Sequence, residues 1–460
     1  IGKSALDANT TGNNNTGVGT LALSANTTGG NNTAVGREAL ENATTAINNV
    51  AVGYQALEEA TTGGVNTAVG TYALAANTTA TNNVAVGTSA LEVNTTGASN
   101  TAVGSTALDA NTTASNNTAV GYRALSSNTT AASNTAVGKD ALLSNTTGTA
   151  NTAVGLGALD ANTTADNNTA LGYAALLSNT TGANNTAVGY AALDANTTAN
   201  YNVGVGSYAL TANTTASNNT AVGYVAMYAN TTGSGHVAVG YAALDANTTG
   251  NNSTAIGNNA LTAATTADQN TAVGSQSLLA VTTGSDNTAI GMNSGLAITT
   301  GTKNIAVGVS SLSHLTTQTR CVAVGYQALE EATADDNTAV GTQALQDNTT
   351  GYYNVAMGYL AGGAITTGHS NVAIGSFALD AATTASSNTA IGTSALTVNT
   401  TGYQNVAVGS GSLDANTTGT FNTGVGGGTL SANTTAGELT ALGYAALNVS
   451  TGASNTALGY

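Results

Sequence analysis

An all-β chain wound as a parallel β-solenoid is what this sequence predicts. Three observations lead there: a glycine that recurs every 17 residues, a β-favouring stretch N-T-A-V-G around it, and apolar or amide positions that exchange only with residues suited to an interior. The glycine falls at Gly2, Gly19, Gly36, Gly53 and onward to Gly325, then at Gly341, Gly358 and so on to Gly459. Of its 27 intervals, 25 are 17 residues long and two are 16. Helix–turn–helix repeats need roughly 33 residues or more, and leucine-rich repeats roughly 20 or more. Seventeen residues fit one solenoid coil. No linker, charge run or composition shift breaks the series. Residues 1–460 therefore read as a single continuous array of about 27 coils, truncated at both ends from a longer chain.

The positions of a coil are numbered here as ranks 1 to 17, with Asn185 at rank 1, Thr186 at rank 2, Ala187 at rank 3, Val188 at rank 4 and Gly189 at rank 5. Ranks 1–5 read as a strand and ranks 11–14 (residues 195–198) as a second, shorter one. Ranks 6–10 (residues 190–194) carry the turn, since five residues cannot hold a helix alone. Rank 4 is Val, Ile, Leu or Met in all 28 occurrences and is assigned to the interior. Alternation along a strand then turns ranks 3 and 5 outward. Rank 3 is Ala except at Gly17, Gly204 and Gly424. A solvent-facing position would not stay so small, so a partner chain is expected against this Ala/Gly face.

Rank 9 is Leu except at Met227, Gly295 and Gly362. Rank 12 is usually Asn but is aliphatic at Ala43, Ala60, Ala264, Val281, Ile298, Leu315, Ala332, Ile365 and Ala382. An Asn that exchanges with Ile is interior. Ile298 and Ile365 share their coils with Gly295 and Gly362, so volume gained at rank 12 offsets volume lost at rank 9, as one packed core requires. Rank 12 and rank 1, the latter interrupted at His236, Ser253, Cys321 and Leu439, are expected to form internal amide ladders of the cross-β kind. Where aliphatic residues enter, neighbours are expected to change together, leaving no amide unsatisfied.

Only 6% of residues are charged, and the net charge is −16. Six basic residues exclude a nucleic-acid partner, which needs clustered Lys and Arg. No run of 18 apolar residues predicts membrane insertion. His236, His314 and His369 lie at different ranks, and no metal-ligand or nucleophile–base spacing occurs. The chain is therefore not expected to be an enzyme: no catalytic, cofactor-binding or metal residue is assigned, and no cofactor is expected.

Acidic residues gather at rank 10, at Asp7, Glu41, Glu58, Glu92, Asp109, Asp160, Asp194, Asp245, Glu330, Asp380 and Asp414. Neighbours such as Glu41 and Glu58 could share Ca²⁺, but a solvated edge is the favoured reading. Ten of the 17 Tyr fall at rank 6, either to stack on sugars or, as favoured here, to cover a corner. The N-T-T triplets satisfy the N-glycosylation pattern, yet the rank 12 exchanges place their Asn inside. The Asn31-Asn32-Thr33 type begins on a turn, and its accessibility stays open. Neighbouring Thr197 and Thr198 point to opposite faces, which leaves one exposed Thr rank and little basis for ice binding.

The run N-T-A-V-G-Y-x-A-L-x-x-N-T-T-G resembles the head repeats of trimeric autotransporter adhesins and the repeat shafts of phage tail fibres and related adhesins. That resemblance implies a left-handed β-roll, a homotrimer, and a place outside the cell or on a cell or virion surface. The expected function is a structural rod or filament segment of an extracellular fibre or adhesin, for host attachment or surface display. The alternative is a glycan- or calcium-binding solenoid module, and after it an ice-binding protein. The expected partners are copies of the chain, as a homotrimer or higher filament joined through the Ala/Gly face, and a surface glycan receptor.

Overall fold

The computed structural model describes residues 1–460, which form two compact units, 1–232 and 233–460. The first unit carries the strands β1 (Thr16–Val18) to β13 (Thr220–Val222), and the second carries β14 (Val237–Val239) to β27 (Thr456–Leu458). Neither contains a helix. Each strand is three residues long and occupies ranks 2–4. Within each unit it pairs in parallel, rank on rank, with the strand one coil further on: Thr186 lies opposite Val203, Ala187 opposite Gly204 and Val188 opposite Val205. Both 16-residue coils keep this register, with Ala323 opposite Ala339 and Ala441 opposite Ala457. The chain is thus an all-β parallel β-solenoid with coils of about 17 residues.

The second strand expected at ranks 11–14 does not form. The rank 12 N–H turns back within its own coil, from Asn196 to the Leu193 carbonyl at 3.1 Å, and so cannot enter a ladder. Ranks 11 and 13 do reach the next coil, the Ala195 N–H bonding the Thr211 carbonyl and the Thr197 N–H the Thr214 carbonyl, both at 3.0 Å, but the in-coil bond of rank 12 between them prevents a continuous strand.

The turn has an unusual backbone. Ranks 7, 9 and 17 are left-handed without being glycine, as in Ala191 (φ +49°), Leu193 (φ +53°) and Tyr201 (φ +58°). The alternation flips successive peptide planes. The Ala191 N–H therefore bonds the Tyr173 carbonyl of the preceding coil at 2.9 Å, while the Leu193 N–H bonds the Ala209 carbonyl of the following coil at 3.0 Å. Each such residue costs about 1–2 kcal/mol, a strain that persists because contacts with both neighbouring coils over-determine it. Rank 5 demands glycine outright. Gly189 has φ +135°, and a Cβ there would lie 2.5 Å from the Gly206 carbonyl oxygen.

The strand faces the other way round from the sequence expectation. Ala187 is fully buried within its own chain, whereas rank 4 points outward, as at Val69, which is 36% exposed. The alternation was right and the choice of face was wrong. The interior is too narrow for two large ranks opposite one another, and Leu at rank 9 already fills it. A Cβ added at Gly204 would lie 3.2 Å from Leu193 Cγ and 3.3 Å from the Ala209 carbonyl oxygen. The smallness of rank 3 thus comes from the chain's own Leu rank, and that of rank 5 from the next coil's backbone. Neither needs a partner, and the Ala face is not available to one.

The core of each coil is built from ranks 1, 3, 8, 9, 12 and 15, with Leu as its usual large side chain. The volume exchange read from sequence is present. A Cβ at Gly295 would meet Ile298 Cδ1 at 3.0 Å, and one at Gly362 would meet Ile365 Cδ1 at 2.9 Å. A second exchange went unread: Gly424 at rank 3 faces Thr429 at rank 8, whose Oγ1 would be 2.9 Å from an added Cβ.

Val65 offers a test of the left-handed positions. It sits at rank 17 with φ +60°, a conformation that strains a β-branched residue but suits Asn. Its side chain is exposed. Val65→Asn should stabilise the protein by about 1 kcal/mol, measured as a higher urea midpoint. An unchanged or lower midpoint would show that the coil stores no strain there.

Candidate association surface

The interior is chemically committed. At rank 1, the Asn185 Nδ2 donates across the coil to the Ala199 carbonyl at 2.8 Å, and its Oδ1 accepts the Asn202 backbone N–H at 2.9 Å. At rank 12, the Asn196 Nδ2 donates to Asn179 Oδ1 at 2.8 Å and to the Ala199 carbonyl at 3.2 Å. Both ladders are buried, so the N-T-T asparagines lie inside, as expected. Asn31, which opens the Asn31-Asn32-Thr33 pattern, is exposed.

The expectation that no ladder amide would be stranded fails. Asn348 lies between Ala332 and Ile365 at rank 12, and neither its Oδ1 nor its Nδ2 has a hydrogen-bond partner. Asn26, followed by Ala43, has an unpaired Oδ1.

Two other residues interrupt rank 1 with titratable groups. The Cys321 thiol donates to the Ala334 carbonyl at 3.2 Å, and burial pushes its pKa up to about 11, so it is inert as a nucleophile. The His236 Nδ1 accepts the Ser253 backbone N–H at 3.1 Å, and its Nε2 lies 2.6 Å from the Gly250 carbonyl. Since an N–H can only donate and a carbonyl only accept, these partners select the neutral Nε2–H tautomer.

On the outside, the rank 10 carboxylates are half-buried rather than freely solvated. Desolvation raises the pKa of Asp109, Asp160, Asp194, Asp245 and Asp380. Glu41 and Glu58 do come together, joined by Glu38, with ligand oxygens all within 4.8 Å of one another. The Arg37 guanidinium already pairs with Glu38 at 2.7 Å.

Several tyrosines of the corner pack on one another. Tyr173 and Tyr190 stack at 5.0 Å and 7°, and Tyr208 meets Tyr190 and Tyr228 edge-on. At rank 13 the Thr197 hydroxyl bonds the Thr214 carbonyl at 3.1 Å, and its neighbour Thr198 at rank 14 is exposed.

Rank 16, which varies in sequence, carries a device the sequence reading missed. Its short polar side chains accept the rank 16 N–H of the preceding coil, as Asn200 Oδ1 does for Ala183 at 2.7 Å and Ser217 Oγ for Asn200 at 3.0 Å. The recurrence of Asn, Ser and Asp there was the available signal.

What stands out is the outer strand face. In the first unit, Val18, Val35, Val52, Val69, Val86 and Val103 are each more than a third exposed, in six successive coils. In the second unit, Ile256, Ile290, Met357 and Ile391 share that rank and exposure. Rank 2, beside it, holds Thr, Val or Ile. No helix of the chain is long and apolar enough to cross a membrane. Models of known protein families give no match to this chain, and neither do curated proteins.

Two measurements follow from the ladders. Asn348→Ala, which removes a buried amide with both polar atoms unpaired, should stabilise the protein by about 1 kcal/mol; a loss of stability would mean that the amide is satisfied in solution. Burial holds the pKa of His236 below 6.5, so the stability its neutral form provides is complete above that pH. It is lost as the pH falls from 6.5 towards the lowered folded value. His236→Asn restores the ladder residue and should flatten this part of the pH–Tm profile; a variant with the wild-type slope would remove His236 as its cause.

Proposed function

We propose that this chain is a structural segment of an extracellular fibre or adhesin that associates with copies of itself, as a left-handed homotrimer, through the outer strand face. One observation carries this reading: rank 4 points outward yet is Val, Ile, Leu or Met in all 28 occurrences. An outward position in water drifts to polar residues unless something covers it. Thirteen strands in the first unit, about 4.8 Å apart and roughly 10 Å long, make a face on the order of 600 Å². That approaches the roughly 800 Å² per partner usual in a stable complex.

A structural role also agrees with an interior whose polar side chains are spent on hydrogen bonds between coils. The partner face is thereby moved from ranks 3 and 5 to ranks 2 and 4. A glycan- or calcium-binding role is the second reading, and its support is the proximity of Glu38, Glu41 and Glu58.

Sedimentation equilibrium tests the proposal. The native chain should have a mass near three times 44.4 kDa. The combined variant Val69→Ser, Val86→Ser, Val103→Ser should be largely monomeric with an unchanged far-UV spectrum, because these side chains contribute little to the core. A native monomer at tens of micromolar, on the order of concentrations at which ordinary complexes form, would refute self-association.

A further inference from the structure

The 16-residue coil at residues 321–336 lacks one particular residue. Thr333 keeps the rank 13 bond to the Thr349 carbonyl at 2.8 Å. Ala334 takes the rank 15 role by accepting from Cys321, and Asp335 the rank 16 role by accepting the Thr319 N–H at 2.6 Å. The missing residue is therefore the outermost one, the exposed Thr of rank 14. Its loss leaves the interior in register and opens a notch of about 360 Å³ lined by Ala334, Asp335, Asp336, Tyr352 and Tyr353.

Residues that are rare in this chain meet at the notch. Tyr352 and Tyr353 stand edge-to-face at 5.2 Å and 76°, giving two walls near a right angle. The His369 ring stacks on Tyr352 at 4.8 Å and 8° and fixes the orientation of that wall. Tyr353 is 60% exposed. Arg320 holds Asp336 through two bonds, Nε to Oδ1 at 2.6 Å and Nη2 to Oδ2 at 2.9 Å, one to each carboxylate oxygen. Asp335 has one oxygen on the Thr319 N–H and lies exposed at the rim. The fold needs none of this, because other coils close with Asn, Ser and Gly at the same ranks.

We infer that this notch is a binding site for an organic cation of the ammonium type. The two aspartates outnumber the one arginine, so the site is net negative. Phenol rings present negative faces that attract a desolvated ammonium within about 6 Å of the ring centroid. Arg320 turns two of its N–H donors to Asp336 and is not among the residues that line the notch, so apart from the phenol hydroxyls the lining side chains offer acceptors and ring faces. A neutral sugar needs donors as well as acceptors, whereas an ammonium group needs only what is present. The inference is independent of the self-association reading, since it concerns ranks 14–17 rather than ranks 2 and 4.

The test uses the full chain and choline chloride as the probe, with ligand-observed saturation-transfer NMR and titration at constant ionic strength. Choline should saturate with a dissociation constant on the order of millimolar. Its neutral isostere 3,3-dimethylbutan-1-ol and methyl glucoside should each bind at least about tenfold more weakly. Tyr353→Leu, Asp335→Asn and insertion of a Thr between Thr333 and Ala334, which refills the notch, should each weaken choline binding by a similar factor. Tyr228→Leu, an exposed tyrosine of the other unit, should not. Far-UV spectra confirm that the variants fold. Absence of choline binding, equal binding of the neutral isostere, a preference for the glucoside, or unchanged binding by all three notch variants would each overturn the inference.

Discussion

Everything in this structure depends on backbone hydrogen bonds that run along the coil stack rather than within a coil. The Gly189 N–H reaches back to Leu171, the Thr186 N–H forward to Asn202, the Ala191 N–H back and the Leu193 N–H forward. A residue therefore meets its own kind one coil away, and each rank must solve the same packing problem at every level. Where the backbone alone leaves an N–H without a carbonyl, at ranks 1 and 16, a short polar side chain from the adjacent coil supplies the acceptor. Repetition in the sequence is the direct expression of that bonding pattern.

The same constraint explains what could be read from sequence. Period, parallel register and the buried amide ranks were legible because each is a property of the stack. So was the Gly295–Ile298 exchange, which involves two residues in one coil. The direction of the strand was not legible. Hydrophobicity ranks Val above Ala, and only the narrowness of the interior, set by Leu193 and its equivalents, reverses that order. The absent second strand was hidden for a related reason: a row of β-favouring Thr hides the inward turn of the Asn196 N–H. The left-handed Leu and Ala of ranks 7 and 9 have no composition signature, because the neighbouring coils and not the side chains impose them. Of the outer surfaces, the apolar face was visible as a rank but was placed on the wrong side, and the notch was visible only as a 16-residue interval.

Variation shows where the coil is strict. Rank 5 never departs from glycine, since a Cβ there enters the next coil's backbone. Rank 12 is permissive, and the cost of that permissiveness falls on whichever amide is left behind, as at Asn348. Loss of a whole residue is accepted at rank 14, which faces water, with the strand register of the adjoining coils intact.

The rank 12 ladder is also vectorial. From Asn94 to Asn230, each Nδ2 donates to the Oδ1 of the preceding coil, never the reverse. The amide dipoles therefore add along the axis, in the manner of peptide dipoles in a helix. A run of them has a donor terminus towards the N-terminal side and an acceptor terminus towards the C-terminal side, and the stranded oxygen of Asn26 is such an acceptor terminus. A further Asn at either end of such a run would be met by one polarity only. The interior of each run thus has a direction, set by side chains buried between the coils.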